Sequence, residues 1–207
     1  IKNKLEKNYK DMQDIEFTIE NKKLWLLQTR TGKRTGQAAI KIALDMVKEK
    51  LITPTQSLER ITPKNIDEIM HPQIDPAEEI ELTPIAIGLP ASPGGACGQI
   101  VFSADDAEKW NKKNKKVILV RHETSPEDVQ GMHVSQGILT AKGGVTSHAA
   151  LVARGWGKSC VVGCSALHID IKKKRMSIGG KIYKEGMWLT LNSTKGLVYD
   201  QRLKLVK

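Results

Sequence analysis

The sequence predicts a mixed α/β protein in two parts, on three observations. Residues 14–20 alternate apolar and polar side chains as a strand does, and an apolar return strand follows a short polar turn. From about Leu89 to Tyr199, short β-branched runs alternate with helix signals. Between these stretches, residues 71–93 carry Pro72, Pro76, Pro84, Pro90 and Pro93, which interrupt any helix.

The opening Lys-rich stretch reads as helix or loop. Ile15, Phe17 and Ile19 then share one strand face, with Glu16, Thr18 and Glu20 on the other. Asn21-Lys22-Lys23 reads as a hairpin turn and Leu24-Trp25-Leu26-Leu27-Gln28 as the return strand. Ala39, Ile40, Ala43, Leu44 and Val47 recur at helical spacing, which predicts a helix over 37–50. Thr53-Pro54 and Thr62-Pro63 each start a further helix with proline in the first turn, the second ending near Met70. Residues 71–93, with Glu78-Glu79-Ile80-Glu81, read as a linker that is stiff in places.

Beyond it, residues 99–102 form a strand and Ser103 caps a helix from Ala104 to about Lys112. Residues 117–120 read as a buried strand, and Ser125-Pro126-Glu127-Asp128 as a helix start. Residues 137–140 run as a strand into Gly143-Gly144, and residues 159–162 form another. Residues 175–178, 181–183, 188–191 and 197–199 make a strand-rich end, with a turn at 192–196.

Composition narrows the function classes. At 207 residues the chain holds one good core, or one domain with an appended piece. It begins without Met and reads as a fragment of a longer protein. No apolar run is long enough to span a bilayer and no secretory signal is visible, so no membrane partner is expected. The cysteines, Cys97, Cys160 and Cys164, are odd in number and lack a pairing framework, which argues for reduced thiols. Cys160 and Cys164 are too few for a zinc site without histidines close by, and His168 near Cys164 leaves metal binding a minor alternative. The net charge of +10 is concentrated in Lys112-Lys113-Asn114-Lys115-Lys116 and Lys172-Lys173-Lys174-Arg175. Both runs sit between expected elements, and only 4% of residues are aromatic, so solvated loops are expected and no nucleic-acid partner.

The segment richest in chemistry is Gly143-Gly144-Val145-Thr146-Ser147-His148-Ala149-Ala150-Leu151-Val152-Ala153-Arg154. Gly143 and Gly144 permit a tight turn and close approach of backbone to an anion. Thr146 or Ser147 can cap the helix that follows. His148 then stands in the first helical turn, where free N–H groups and the helix dipole suit a phosphate. The same positive end disfavours an imidazolium and keeps the ring neutral and nucleophilic. Arg154 is a candidate counter-charge. His71, His122, His133 and His168 lie in loops or at strand ends and read as surface or packed residues.

The stretch from Gly143 to Gly163 resembles the phosphohistidine signature of the PEP-utilising enzymes. Residues 11–20, Leu27-Gln28-Thr29-Arg30 and Gly32-Lys33-Arg34-Thr35 are similar to the pyruvate, phosphate dikinase family in particular. Leu89-Pro90-Ala91-Ser92-Pro93-Gly94 and residues 120–129 match the same family. The resemblance implies a swivelling β/β/α phosphohistidine domain, preceded by a β-hairpin and helices from the end of an ATP-grasp domain. It divides the chain into an ATP-grasp tail with a helical segment (1–70), a hinge (71–93), a phosphohistidine domain (94–202), and the start of a linker to a pyruvate-binding barrel (203–207).

By the same resemblance, His148 accepts a phosphoryl group, with ATP and inorganic phosphate giving AMP and pyrophosphate. It then passes the group to pyruvate, forming phosphoenolpyruvate. Asp14, Glu16, Gln28 and Arg30 match positions lining the nucleotide site; Glu16 and Gln28 would hold Mg²⁺ and Arg30 would hold phosphate. For Thr146 the residues favour the N-cap role, and the resemblance implies the alternative, a site of regulatory phosphorylation. It also implies a family that is often homodimeric, in the cytoplasm or, behind a targeting peptide, in an organelle. Competing readings are phosphoenolpyruvate synthase, enzyme I of the sugar phosphotransferase system, a non-catalytic binding module, and a basic nucleic-acid module.

Overall fold

Two left-handed residues turn the first hairpin. In the computed structural model, which describes residues 1–206, Asn21 and Lys22 have φ of 51° and 60°. Such a pair matches the right-handed twist of the strands it joins. Helix α1 (Lys2–Tyr9) precedes the hairpin, whose strands are β1 (Gln13–Glu20) and β2 (Lys23–Thr31). Then come α2 (Gly36–Lys48), α3 (Pro54–Glu59) and α4 (Pro63–Met70). Each has a side-chain start signal: Thr35 accepts from the Ala38 amide, Thr53 and Gln56 form a reciprocal capping box, and Thr62 exchanges bonds with Asn65. Ala39, Ala43 and Met46 form the buried stripe of α2. Arg34 holds Asp11 with two bonds of 2.8 and 3.0 Å. Burial works against the Asp11 carboxylate, but Arg34 outweighs it and lowers its pKa.

These elements form one compact unit, Ile1–Ile69, and the rest of the described chain forms a second. The second contains β3 (Gln73–Ile74), α5 (Pro76–Glu79), β4 (Ala86–Ile87), β5 (Leu89–Ser92), β6 (Gly95–Val101), α6 (Ala104–Asn111) and β7 (Val117–Arg121). A short 3₁₀ turn, Pro126–Asp128, leads to α7 (Val129–Val134), β8 (Gly137–Thr140), α8 (His148–Gly155) and β9 (Ser159–Val162). The chain continues through β10 (His168–Asp170), β11 (Arg175–Ile178), β12 (Lys181–Lys184), β13 (Trp188–Asn192), β14 (Leu197–Tyr199) and β15 (Leu205–Val206).

The central sheet has the order β4-β14-β13-β6-β7-β8-β9-β5, with β6 to β9 parallel and the flanking pairs antiparallel. Its parallel strands are buried on both faces, so they read as unbroken apolar runs. Val117, Leu119, Ile138 and Val162 pack with Ala107, Met132, Ala150 and Ala153 of the helices. Ile118, Val120, Leu139 and Leu189 pack with Met176, Ile178 and Tyr183 of the three-stranded β10-β11-β12 sheet. The layers are thus small sheet, large sheet, helices.

The expected linker at 71–93 needs correcting, because most of it is built into this unit. Pro76 opens α5 behind its cap Asp75, and Pro90 lies on β5, an edge strand, where a missing N–H is tolerated. Of the expected linker at 203–207, residues 203–206 are likewise incorporated, since Leu205 and Val206 pair with Ile74 and Gln73, and Lys207 lies outside the described residues. A clasp holds this region. The Glu79 carboxylate accepts from Asn192, from Lys195 at 2.8 Å and from the Tyr199 hydroxyl at 2.9 Å. Its neighbour Glu78 accepts from the Lys204 amide at 2.6 Å.

Candidate active site

His148 is the first residue of α8 and is half-buried. Its N-cap is Ser147, whose backbone is extended and whose hydroxyl accepts from the Ala150 amide at 3.5 Å. Thr146 is therefore not the cap; it is exposed. Of the glycine pair, only Gly143 adopts a left-handed conformation, with φ of 100°. A Cβ there would also press on the Ser147 side chain at 3.0 Å. Gly144 has no such strain and would tolerate a Cβ, with nothing within 4 Å. Gly163 supports the loop from below: its φ is 62°, and a Cβ would stand 2.7 Å from the Gly143 carbonyl.

The ring is held from a second loop. Thr124 Oγ1 lies 3.0 Å from His148 Nδ1, and Thr124 is buried. Arg121, at the end of β7, bonds the buried Asp128 carboxylate at 3.2 Å and the Phe102 carbonyl at 3.2 Å. Asp128 in turn accepts from the Ser125 amide at 3.0 Å. This fold of 121–128 carries Thr124 to the imidazole, while Lys142 N–H, bonded to the His122 carbonyl at 2.8 Å, ties the two loops together. Thr124 lies within residues 120–129, the stretch that resembles the family, but no role for it is legible in the sequence. Its signal, a hydroxyl residue ahead of a capped Ser-Pro turn, is local, whereas its partner lies on another loop.

Arg154 does not stand free as a counter-charge. Its guanidinium reaches back to the Ala150 carbonyl at 3.2 Å and to the Val145 carbonyl. It braces the turn that presents His148. The other histidines are spread out: His122 bonds the Ile169 carbonyl at 3.1 Å, and His133 packs edge-on against Trp156.

In the first unit, the hairpin register sets Asp14 opposite Arg30 and Glu16 opposite Gln28. All four lie on one face and are exposed or half-exposed. The bulge beside the Glu16/Phe17 step leaves Leu27 as an extra residue on β2. Without it, Leu24, Leu26, Gln28 and Arg30 would share a face by simple alternation. With it, Leu24 and Leu26 join Phe17 and Ile19, while Gln28 and Arg30 join Glu16 and Asp14. Arg30 bonds Asp14 at 2.9 Å and reaches Glu16 at 3.6 Å. Its pKa is raised, chiefly by the Asp14 carboxylate. The Glu16 carboxylate and Gln28 amide supply the oxygen donors that suit Mg²⁺. Among the described residues, no cluster of three or more His, Cys, Asp or Glu could hold a metal alone. No helix among them is long and apolar enough to cross a membrane.

Comparison with known proteins finds a family match within each unit. The PEP-utilising enzyme mobile domain matches residues 113–196, the stretch that carries the histidine loop and its helix. Over that stretch the chain is similar to the PEP-utilising enzymes.

Within that family it is similar to the pyruvate, phosphate dikinases. The pyruvate phosphate dikinase AMP/ATP-binding domain matches residues 1–51. Pyruvate, phosphate dikinase 2 of Zea mays is 55% identical over 94% of this chain and 22% of its own length. The chloroplastic pyruvate, phosphate dikinase of Flaveria pringlei is 54% identical over 94% of this chain and 20% of its own. Pyruvate, phosphate dikinase 1, chloroplastic, of Arabidopsis thaliana is 52% identical over 95% and 20%. The chain thus spans about a fifth of the length of the curated relatives it matches.

Proposed function

We propose that this chain is the phosphoryl-carrying segment of a pyruvate, phosphate dikinase, with His148 as the carrier. The observation that supports it most directly is the Thr124–His148 contact. With the Nδ1 proton donated to Thr124 Oγ1, the lone pair lies on Nε2, the ring atom free to attack phosphorus. The Nε2–P bond forms as the bond from that phosphorus to its leaving oxygen breaks. The first helical amides and the turn at Gly143 then face the new negative charge.

The donor is ATP, which with inorganic phosphate gives AMP and pyrophosphate; the acceptor is pyruvate, which becomes phosphoenolpyruvate. Arg30 would hold a phosphate of ATP. Glu16 and Gln28 would contribute oxygen ligands to Mg²⁺, whose role is to screen phosphate charge, with phosphate and water completing its shell. In-line transfer needs reacting atoms about 3–3.5 Å apart at both sites, so the unit bearing His148 has to travel between them. Since residues 73–92 belong to that unit, the pivot on its entry side falls ahead of Gln73. The exposed Thr146, two residues before His148, is where a phosphate would repel the incoming group. Phosphoenolpyruvate synthase and enzyme I are less favoured, because residues 1–51 match the dikinase nucleotide domain. The protein is soluble in this reading, in cytoplasm or plastid.

The test places this segment in its full-length parent and supplies ATP labelled at the β-phosphoryl group. Acid-labile, base-stable protein label that disappears in His148→Ala is the expected result. An active parent that acquires no such label, or keeps it in His148→Ala, overturns the assignment.

A further inference from the structure

The parallel strands of the large sheet all end towards His148, which follows β8. At their opposite end, Lys116 immediately precedes β7 and Cys97 lies early in β6. A hollow of about 360 Å³ opens there, lined among others by Cys97, Lys116, Trp188, Arg202, Lys204 and Glu78. Arg202 lies over the Trp188 ring at 4.4 Å. Among the described residues, neither Arg202 nor Lys116 has a carboxylate within ion-pair distance. The hollow's own carboxylate, Glu78, is engaged by the Lys204 amide, and the Lys204 ammonium stands 3.7 Å from Asp75.

Two exposed cations, neither with a carboxylate of the described residues in ion-pair distance, therefore flank a recess with an apolar indole wall, where their potentials add. The guanidinium of Arg202 lies over the Trp188 ring, and its forked N–H groups suit a bidentate oxyanion. We propose that this hollow binds a compact, multiply charged oxyanion of the phosphate or pyrophosphate type, at a site remote from His148. The anion bridges Lys116 on the sheet to Arg202 on the segment leading into β15. The site does not depend on the phosphohistidine reading.

Cys97 gives a local readout. It lines the hollow and is 8% exposed, whereas Cys160 and Cys164 are fully buried, with their thiols pushed up to about 12 and about 11 by desolvation. Alkylation by iodoacetamide, read residue by residue by mass spectrometry, is compared in pyrophosphate and in chloride at equal ionic strength. Pyrophosphate at several times its dissociation constant slows Cys97 labelling about fivefold, as one-site occupancy requires. Lys116→Gln with Arg202→Gln removes the protection. Should Cys97 label too slowly to follow, ³¹P line broadening of pyrophosphate makes the same comparison: broadening lost in the double variant supports the site. Equal rates in the two salts, or protection or broadening that persists in the double variant, overturns it.

Discussion

Replacing Glu79 by Ala tests the clasp that holds residues 75–92 to the second unit. Asn192 and Tyr199 are 6% and 3% exposed, so loss of the carboxylate strands two buried donors. Each unsatisfied donor costs about 1–3 kcal/mol. The Lys195 ammonium is 54% exposed and adds little. Allowing for partial relaxation, the total is about 2–4 kcal/mol. At roughly 3 °C per kcal/mol for a unit of this size, Tm falls by about 6–12 °C.

Differential scanning calorimetry of the chain measures this, with hydrogen exchange assigning the transition to its unit. Glu81→Ala, at an exposed neighbour, is the control. The effect has a pH signature. Burial alone would raise the Glu79 pKa, but Lys195, Asn192 and Tyr199 outweigh burial and hold it below its ordinary 4.5. A carboxyl lowered in the fold stabilises above its unfolded pKa and loses that contribution as pH falls through the folded value. The gap between wild type and variant therefore narrows below about pH 4. A Tm for Glu79→Ala equal to that of Glu81→Ala, or a gap that widens in acid, refutes the clasp.

Thr124→Val keeps the shape and removes the hydroxyl beside His148. In the full-length parent, single-turnover phosphorylation of His148 slows about tenfold or more, equivalent to ~1.4 kcal/mol. Thr124→Ser restores most of the rate; an unchanged rate in the valine variant sinks the positioning role. Arg30→Gln removes the cation that pairs with Asp14 and Glu16 and that would hold a phosphate of ATP. ATP affinity of the parent, by titration calorimetry, drops about tenfold or more, and unaltered affinity would show that the polar face does not meet nucleotide.

Strong periodicity and punctuation made much of the fold legible. The stripe of Ala39 and Ala43 and the cap at Thr35 place α2 within two residues of its expected start and end. The strand-rich end was legible because Gly179-Gly180, Gly186 and Asn192 to Gly196 punctuate short apolar runs. Strands β3, β4 and β5 were not: each is two to four residues long, close to proline, and paired with a partner far along the chain. Local composition cannot disclose such partners. The histidine loop carried its own signal in glycine, hydroxyl and helix formers, but Ser147 rather than Thr146 caps, and Arg154 folds back. Thr124 was hidden because its bond crosses between two loops. The bulge was hidden because Leu27 looks like one more apolar residue in a strand.

The pairing of Gln73–Ile74 with Leu205–Val206 closes the second unit upon itself. Gln73 and Val206 stand one strand spacing apart, about 4.8 Å, which is no wider than the mouth of an ordinary surface loop. A module with so narrow a neck can be transplanted as a cassette, since a host has only to open one loop to receive it.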